Sequence, residues 1–368
     1  MLKVMTIVGT RPELIKMSRV IDKLDKNTNH ILVHTGQNYD YELNQIFFDE
    51  LKIRKPDYFL EVAGENTAQT IANIIERTDK VIEAESPDAF VIYGDTNSCL
   101  SVISAKRRKV PVFHMEAGNR CFDQRVPEEL NRKIIDQLSD INIVLSDRAR
   151  ENLVLEGIRP ETIFKSGSHM KEVLDYYMSD VYRSDVLNRL KLKSSSYFVF
   201  SFHREENIDD IDNLKTIIKS IKAVSATYNL PVIVSTHPRT KKALDDLNIS
   251  TDEKIIFSKP FGLFDYIKLQ INAKCVVSDS GTITEESSLL GFPAVTIRNT
   301  HERPEGMDNG VLIMSGVDTG SIMDSVDVAI KCGKPHAIDE YNKQDVSTHI
   351  LKLIYSHTGY INRTVWHK

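Results

Sequence analysis

The chain has 368 residues, of which 41% are hydrophobic and 27% charged, with a formal net charge of −5. That length exceeds one core of ordinary size, so two domains are expected. The slight acidity excludes a broad basic surface for nucleic acid. The four cysteines, Cys99, Cys121, Cys275 and Cys332, suggest neither a metal site nor a disulfide framework, which fits a reducing cytoplasm. The N-terminal apolar run is too short for a signal-peptide core, and no later stretch approaches the roughly eighteen apolar residues of a membrane span. A soluble cytoplasmic protein is expected.

In chain order, the first β-branched run predicts a strand over 3–9, followed by a helix over 13–24 with apolar residues at i, i+3 and i+4. Strands follow at 30–36 and 58–62, and then a helix at 67–85 with Thr67 as its N-cap. Further strands are expected at 89–95, 110–116, 141–147 and 162–168. A polar, helical segment at 170–196 ends in a serine run, and the strand series restarts at 197–203, 231–237, 254–259, 274–280 and 293–298. Fully apolar strands alternating with helices argue for parallel sheets covered on both faces. The expected fold is therefore α/β: two Rossmann-like, doubly wound domains with a central cleft. The N-terminal domain is drawn at 1–168 and the C-terminal domain at 169–368, and a crossing of the last helix, 346–357, back to the first domain is left open. In open α/β sheets ligands bind beyond the carboxyl ends of the strands.

Charged residues collect at those ends. The first strand runs into Gly9-Thr10-Arg11-Pro12, where Pro12 suits a first helical turn and an arginine beside a helix N-terminus suits an anion. A routine strand–helix turn is an equal reading of that motif. Asp95 and Glu116 each end an apolar strand, and those two strands should be neighbours. Paired acids there favour one with a raised pKa, although Asp95 could simply cap a helix. Residues 114–133 gather Glu116, Glu128, Glu129, Arg120, Arg125 and Arg132; one of the two adjacent glutamates could complement the helix dipole while the other serves a site. The basic run 106–109 reads as a solvated helix end. In the second half, His203 with Arg204 and His237 with Arg239 stand at equivalent strand ends. Asp279 ends another strand, and Ser280-Gly281-Thr282 then open a helix rich in N–H and hydroxyl donors, a cradle for a diphosphate. Glu285 and Glu286, one turn later, could accept from ribose hydroxyls, and Arg298 and Arg303 follow the next strand. No Ser–His–Asp elbow, dinucleotide fingerprint or metal cluster is present in the pattern. The acid–base set read from it is Asp95, Glu116, Glu128 and His203.

These motifs taken in order (GTRPELIKM, GDTNSCLS, HMEAGNR, PEELNRKIID, SFHREEN, SDSGTITEES and ERPEGMDNG) resemble those of the non-hydrolysing UDP-N-acetylglucosamine 2-epimerases, from residue 3 to about 312. That resemblance implies a two-domain fold like that of GT-B glycosyltransferases, with the active site in the cleft, and no cofactor or metal. The stretches HTGQNYDYELNQIFF and MEAGNRCFDQRVPEE look like the branch that makes UDP-N-acetyl-L-fucosamine from UDP-2-acetamido-2,6-dideoxy-L-talose for capsule or O-antigen. By the resemblance, Asp95, Glu116 and Glu128 transfer protons at C2 and His203 assists the leaving phosphate. Arg11, Lys16 and Arg132 are implied to line the substrate site, and Ser280, Gly281 and Glu286 to hold phosphates and ribose; His237, Thr282 and Arg303 are substrate-binding candidates from their places at strand ends and helix start alone. The resemblance also implies that residues 114–133 form one wall of the reaction chamber, and that the partner is a UDP-sugar and a second copy of the chain in a homodimer.

Two departures stand out. The family's Ser-Gly-Gly is Ser280-Gly281-Thr282 here, and the Gln-His pair of its activator region is Gln37-Asn38, which puts allosteric activation in doubt. Rival readings are a UDP-N-acetylglucosamine/UDP-N-acetylmannosamine epimerase, a GT-B glycosyltransferase, a hydrolysing epimerase and a non-catalytic UDP-sugar sensor.

Overall fold

Strands that are apolar along their whole length need cover on both faces, and they find it here in two separate parallel sheets. The computed structural model describes residues 1–36, 48, 50–236, 238–246 and 253–368. His237 and the Gln37-Asn38 pair lie outside the described residues. The chain divides into two compact units, Met1–Asp175 with Glu340–Lys368, and Tyr176–Asp339. Measured against the 168/169 boundary, residues 169–175 and 340–368 belong to the first unit. The first crossing falls inside a continuous helix, His169–Arg183, where no composition shift marks it.

The first unit holds β1 (Lys3–Val8), β2 (Asn29–His34), β3 (Tyr58–Phe59), β4 (Ala89–Tyr93), β5 (Val112–Met115), β6 (Ile141–Val144) and β7 (Ile163–Lys165). Their order across the sheet is β3-β2-β1-β4-β5-β6-β7. Every residue of β4 and β5 is buried. Met5, Ile7, Phe90, Ile92 and Val112 pack into one cluster with Ile74 and Ile135 of the covering helices. Each such fully buried aliphatic or aromatic side chain stabilises by about 1.5–3 kcal/mol relative to exposure. The C-terminal helix Val346–Thr364 belongs to this unit, and its Tyr355 hydroxyl donates to the Asn27 carbonyl at 2.8 Å.

The second unit holds β8 (Phe198–Ser201), β9 (Val232–Ser235), β10 (Ile255–Ser258), β11 (Cys275–Ser278), β12 (Ala294–Thr296) and β13 (Ile313–Met314), in the order β10-β9-β8-β11-β12-β13. Phe198, Phe200, Val232, Val277 and Val295 share its larger core with Ile217 and Ile221. The two-residue edge strand β13 went unforeseen, because so short a run has no readable period.

Both orders reverse direction at one place, between β1 and β4 in the first sheet and between β8 and β11 in the second. Loops leaving the strands on either side of a reversal run to opposite faces and open a crevice. Most strands stop two or three residues before the expected end, as β4 does at Tyr93 and β6 at Val144. The polar residues that follow therefore stand on the crevice loops and not in the sheet.

Candidate active site

In the first unit the crevice is built by the segments after β1, β4 and β5. Thr10 is the N-cap of the helix Arg11–Asn27, and Pro12 stands in its first turn. Glu13 turns back to accept from the N–H groups of Gly9, at 2.7 Å, and Thr10, at 2.8 Å. Its other oxygen accepts from the Thr96 hydroxyl at 2.6 Å, which ties the loop after β1 to the loop after β4. Burial raises the Glu13 pKa, and those hydrogen bonds oppose the rise. Sequence reasoning passed over Glu13, although Thr10-x-x-Glu13 is the signature of a capping box. Arg11 opens the same helix, half-buried.

Asp95 and Glu116 lie on the loops just beyond adjacent parallel strands, with Tyr93 opposite Met115 in the register. Asp95 receives Arg132 on Oδ2, through Nε at 2.8 Å and Nη2 at 2.5 Å. Glu116 receives the Lys16 ammonium on Oε2 at 2.5 Å, and the Tyr93 hydroxyl donates to the same oxygen. Lys16 and Arg132 are 4% and 5% exposed, so each carboxylate meets its cation where water screens little. Glu116 also has φ +64°, a left-handed backbone uncommon for a residue with a Cβ.

The adjacent glutamates of the helix Pro127–Leu138 separate cleanly. Glu129 is fully buried and accepts from the N–H groups of Cys121 at 3.0 Å and Phe122 at 3.1 Å, and pairs with Arg132 Nη1 at 3.0 Å. Burial would raise its pKa; the Cys121 contacts and Arg132 outweigh that and lower it. Glu128 is half-buried. The structure thus gives Glu129 to the loop, whereas Glu128 points to no hydrogen-bond partner among the described residues.

Two arginines of the stretch 114–133 stand elsewhere. Arg120 has no exposed side-chain surface and pairs with Asp136 at 2.7 Å and Glu156 at 2.5 Å. Arg125 is exposed and pairs with Asp123 at 2.7 Å. Of the charges in this stretch, Arg120 is thus held by Asp136 and Glu156, Arg125 by Asp123, and Glu129 by Arg132. His114 is buried behind them, with Nδ1 2.8 Å from Asp136 and Nε2 donating to the Gly94 carbonyl at 2.7 Å. That contact holds the residue before Asp95. In the run 106–109, Lys106 pairs with Asp140 and Arg108 grips Asp79 with two bonds of 2.6 Å. The N-cap of the helix Thr67–Glu85 is Asn66 in place of Thr67, its side chain accepting from Gln69 N–H at 2.9 Å.

In the second unit, Asp279 follows β11 directly, is fully buried and gathers the loop after β8. It accepts from the N–H groups of His203, at 3.0 Å, and Arg204, at 3.0 Å, and from Asn207 Nδ2 at 3.0 Å. His203 Nδ1 lies 3.1 Å from its Oδ1. Burial pushes the Asp279 carboxyl up, but His203 and the other donors outweigh it and hold the pKa at about 2. An anchored Nδ1 fixes the imidazole ring and turns Nε2 outward.

Beside it, Ser280 and Gly281 precede the helix Ile283–Leu290. A Cβ on Gly281 would come within 3.3 Å of Glu302 and 3.7 Å of Arg204, so the backbone there is approached by charged groups. A small pocket is lined by Ser280, Gly281, Thr284, Arg298 and His301. Thr282 inserts its hydroxyl between Ser280 Oγ, at 3.0 Å, and Glu286 Oε1, at 2.8 Å. A carboxylate only accepts, so Thr282 donates to Glu286 and Ser280 donates to Thr282. Glu286 also accepts from Gln270 at 2.6 Å, and keeps lone pairs for a further donor. Glu285 is fully buried and pairs with Arg303 at 2.8 Å. Arg298 pairs with Glu302 at 2.7 Å.

Among the described residues no group of three His, Cys, Asp or Glu could hold a metal ion. Among them, too, no helix is long and apolar enough to cross a membrane. Two α/β units, each a parallel sheet whose strand order reverses once, define a fold of the GT-B kind. The comparisons agree: residues 22–355 match the family model for UDP-N-acetylglucosamine 2-epimerase. The chain is 33% identical to the UDP-N-acetylglucosamine 2-epimerase of Methanocaldococcus jannaschii, over 89% of this chain and 92% of that one. It is 32% identical to the UDP-2,3-diacetamido-2,3-dideoxy-D-glucuronate 2-epimerase of Pseudomonas aeruginosa, over 88% and 91%. Among solved structures, a UDP-N-acetylglucosamine 2-epimerase from Rickettsia bellii superposes with a TM-score of 0.94 at 55% identity, over 100% of both chains. The chain belongs to the UDP-N-acetylglucosamine 2-epimerase family, and it is an enzyme of the isomerase class.

Proposed function

We propose that the chain inverts C2 of a UDP-2-acetamido sugar, namely UDP-2-acetamido-2,6-dideoxy-L-talose, to give UDP-N-acetyl-L-fucosamine. The observation that carries the chemistry is the pair Asp95 and Glu116 on neighbouring strand ends, each with its own buried cation. No carbonyl activates a C2 hydrogen beside an acetamido group, so a simple base cannot invert that carbon. Elimination supplies the driving force. As a carboxylate takes the C2 proton, the C–H pair becomes the C1–C2 double bond and the C1–O pair leaves with UDP. The 2-acetamidoglycal then takes a proton on the opposite face of C2 while UDP adds back to C1. Asp95, Glu116 and Glu128 are our candidates for the two proton transfers. His203, with Arg11 and the Ser280-Gly281-Thr282 loop, is our candidate for stabilising charge on the departing diphosphate. His237 and Arg303 remain candidates for binding the substrate.

The choice of the L-sugar rests on the stretches around 34–48 and 115–129. A second substrate, UDP-N-acetylglucosamine, is favoured by the 55% identity to the Rickettsia bellii protein of that name. A structure of the Methanocaldococcus jannaschii protein, 31% identical with a TM-score of 0.91, is described as a complex with UDP-N-acetylglucosamine and UDP. We further propose a cytoplasmic homodimer serving capsule or O-antigen synthesis.

The test is proton NMR with candidate UDP-sugars in D₂O. Deuterium entering C2 of the UDP-L-sugar, with the product still carrying UDP, is the expected result. Exchange only with UDP-N-acetylglucosamine keeps the reaction and replaces the substrate. Tight UDP binding without exchange into any sugar overturns the proposal in favour of a transferase or sensor.

A further inference from the structure

We propose that Tyr93 is a positioning residue of the epimerisation: its hydroxyl, together with the Lys16 ammonium, fixes the Glu116 carboxylate for proton transfer at C2. The proposal rests on the function given above. Tyr93 is the last residue of β4 and is only 3% exposed. In sequence it reads as one more core residue of an apolar strand. Its register partner is Met115, so its hydroxyl reaches the first residue beyond β5, which is Glu116.

Three elements converge on that tyrosine. Its hydroxyl donates to Glu116 Oε2. Lys16, from the helix after β1, donates to the same oxygen at 2.5 Å and stands 5.3 Å from the Tyr93 ring centre. The ring of His169 meets it edge-on, with centroids 5.2 Å apart and planes at 75°. A phenol ring serves the core as well as phenylalanine would, but a buried hydroxyl is costly unless it is hydrogen-bonded. Here it is bonded to a proposed proton-transfer group.

The backbone gives an independent reason to assign Tyr93 this role. Glu116 holds φ +64°, a conformation that costs roughly 1–2 kcal/mol for a residue with a Cβ. At that backbone the side chain meets both Lys16 and Tyr93 through Oε2. A carboxylate held by two donors on one oxygen cannot swing about its last bond. A misplacement of about 1 Å can cost on the order of 10²-fold in rate, so this restraint bears on turnover and not on binding. Tyr93 also lies two residues before Asp95 on the same strand end. It therefore ties the Asp95 loop to Glu116 and sets both acids in one frame.

Tyr93→Phe keeps the ring and removes only the hydroxyl. The expected result is a fall in kcat of about 10–100-fold, with KM and UDP affinity changed by no more than about threefold. Deuterium incorporation at C2 should fall in step with turnover. A purely structural role would lower the melting temperature and leave kcat per folded molecule unchanged, and that outcome overturns the proposal. If Tyr93→Phe folds poorly, the cycle with Glu116→Gln decides. The double variant should be no slower than Glu116→Gln alone, whereas losses that multiply overturn the coupling. A wild-type chain that exchanges no UDP-sugar removes the underlying function. Wild-type exchange with an unchanged Tyr93→Phe removes only this inference.

Discussion

Arg132 binds one oxygen of Asp95 with two of its nitrogens, Nε at 2.8 Å and Nη2 at 2.5 Å, while its third nitrogen takes Glu129 at 3.0 Å. One planar guanidinium thus spans the loop after β4 and the helix Pro127–Leu138. A lysine has a single ammonium and cannot serve both carboxylates in that geometry. Arg132→Lys should lower turnover by about 10–100-fold, equivalent to roughly 1.4–2.7 kcal/mol of transition-state stabilisation. Steady-state kinetics check this, and turnover equal to wild type would show that the fork is dispensable.

Glu128→Gln and Glu129→Gln should fail in different ways although the residues are adjacent. Glu128→Gln is expected to lose about 10²–10⁴-fold in kcat with an unchanged melting temperature, as Asp95→Asn and Glu116→Gln should lose similar factors while UDP still binds. Glu129→Gln leaves a buried arginine short of its partner and should cost about 1–3 kcal/mol in stability. Calorimetry and kinetics on the pair separate the roles. A stable, fully active Glu128→Gln would remove Glu128 from the proton-transfer set.

Arg120 carries the opposite expectation. It is fully buried between Asp136 and Glu156 and touches no proposed reacting group. Arg120→Met leaves Asp136 charged in the core, which should cost about 3–5 kcal/mol. Soluble Arg120→Met below its melting point should nevertheless turn over with near-normal KM. A raised KM at full stability would return Arg120 to the substrate site.

Two buried groups should make the protein acid-labile in successive windows. Burial holds the His34 pKa down at about 4, against 6.5 for a free imidazole. Its contribution is fully present above pH 6.5 and is lost as pH falls to about 4, since the unfolded chain takes the proton first. The loss is about 3 kcal/mol. Asp279, at about 2 against 3.8, contributes above pH 3.8, and that contribution is lost as pH falls toward 2, by about 2 kcal/mol. Urea midpoints from pH 8 to 2 check both. His34→Asn should flatten the upper window and Asp279→Asn the lower; wild-type slopes retained in both variants would assign the titrations to other groups.

Much of the architecture could be read along the chain. Apolar runs, helical periods and polar strand ends are local properties, and they marked the parallel sheets, most of the strands and the loops that carry Asp95, Glu116, His203 and Ser280. The order of the motifs pointed to the family. What stayed hidden depends on which way a side chain turns and what meets it. Glu128 and Glu129 are equivalent in sequence, but about 100° of helix rotation sends one to the core and leaves the other half-buried, with no partner among the described residues. Arg120 and Arg132 look alike until Asp136 claims one and Asp95 the other. Tyr93 is an ordinary strand residue until the register brings Glu116 beside its hydroxyl. Local composition determines secondary structure and which loops bear charge; the pairing of those charges is a long-range choice made by packing, and only the folded chain makes it.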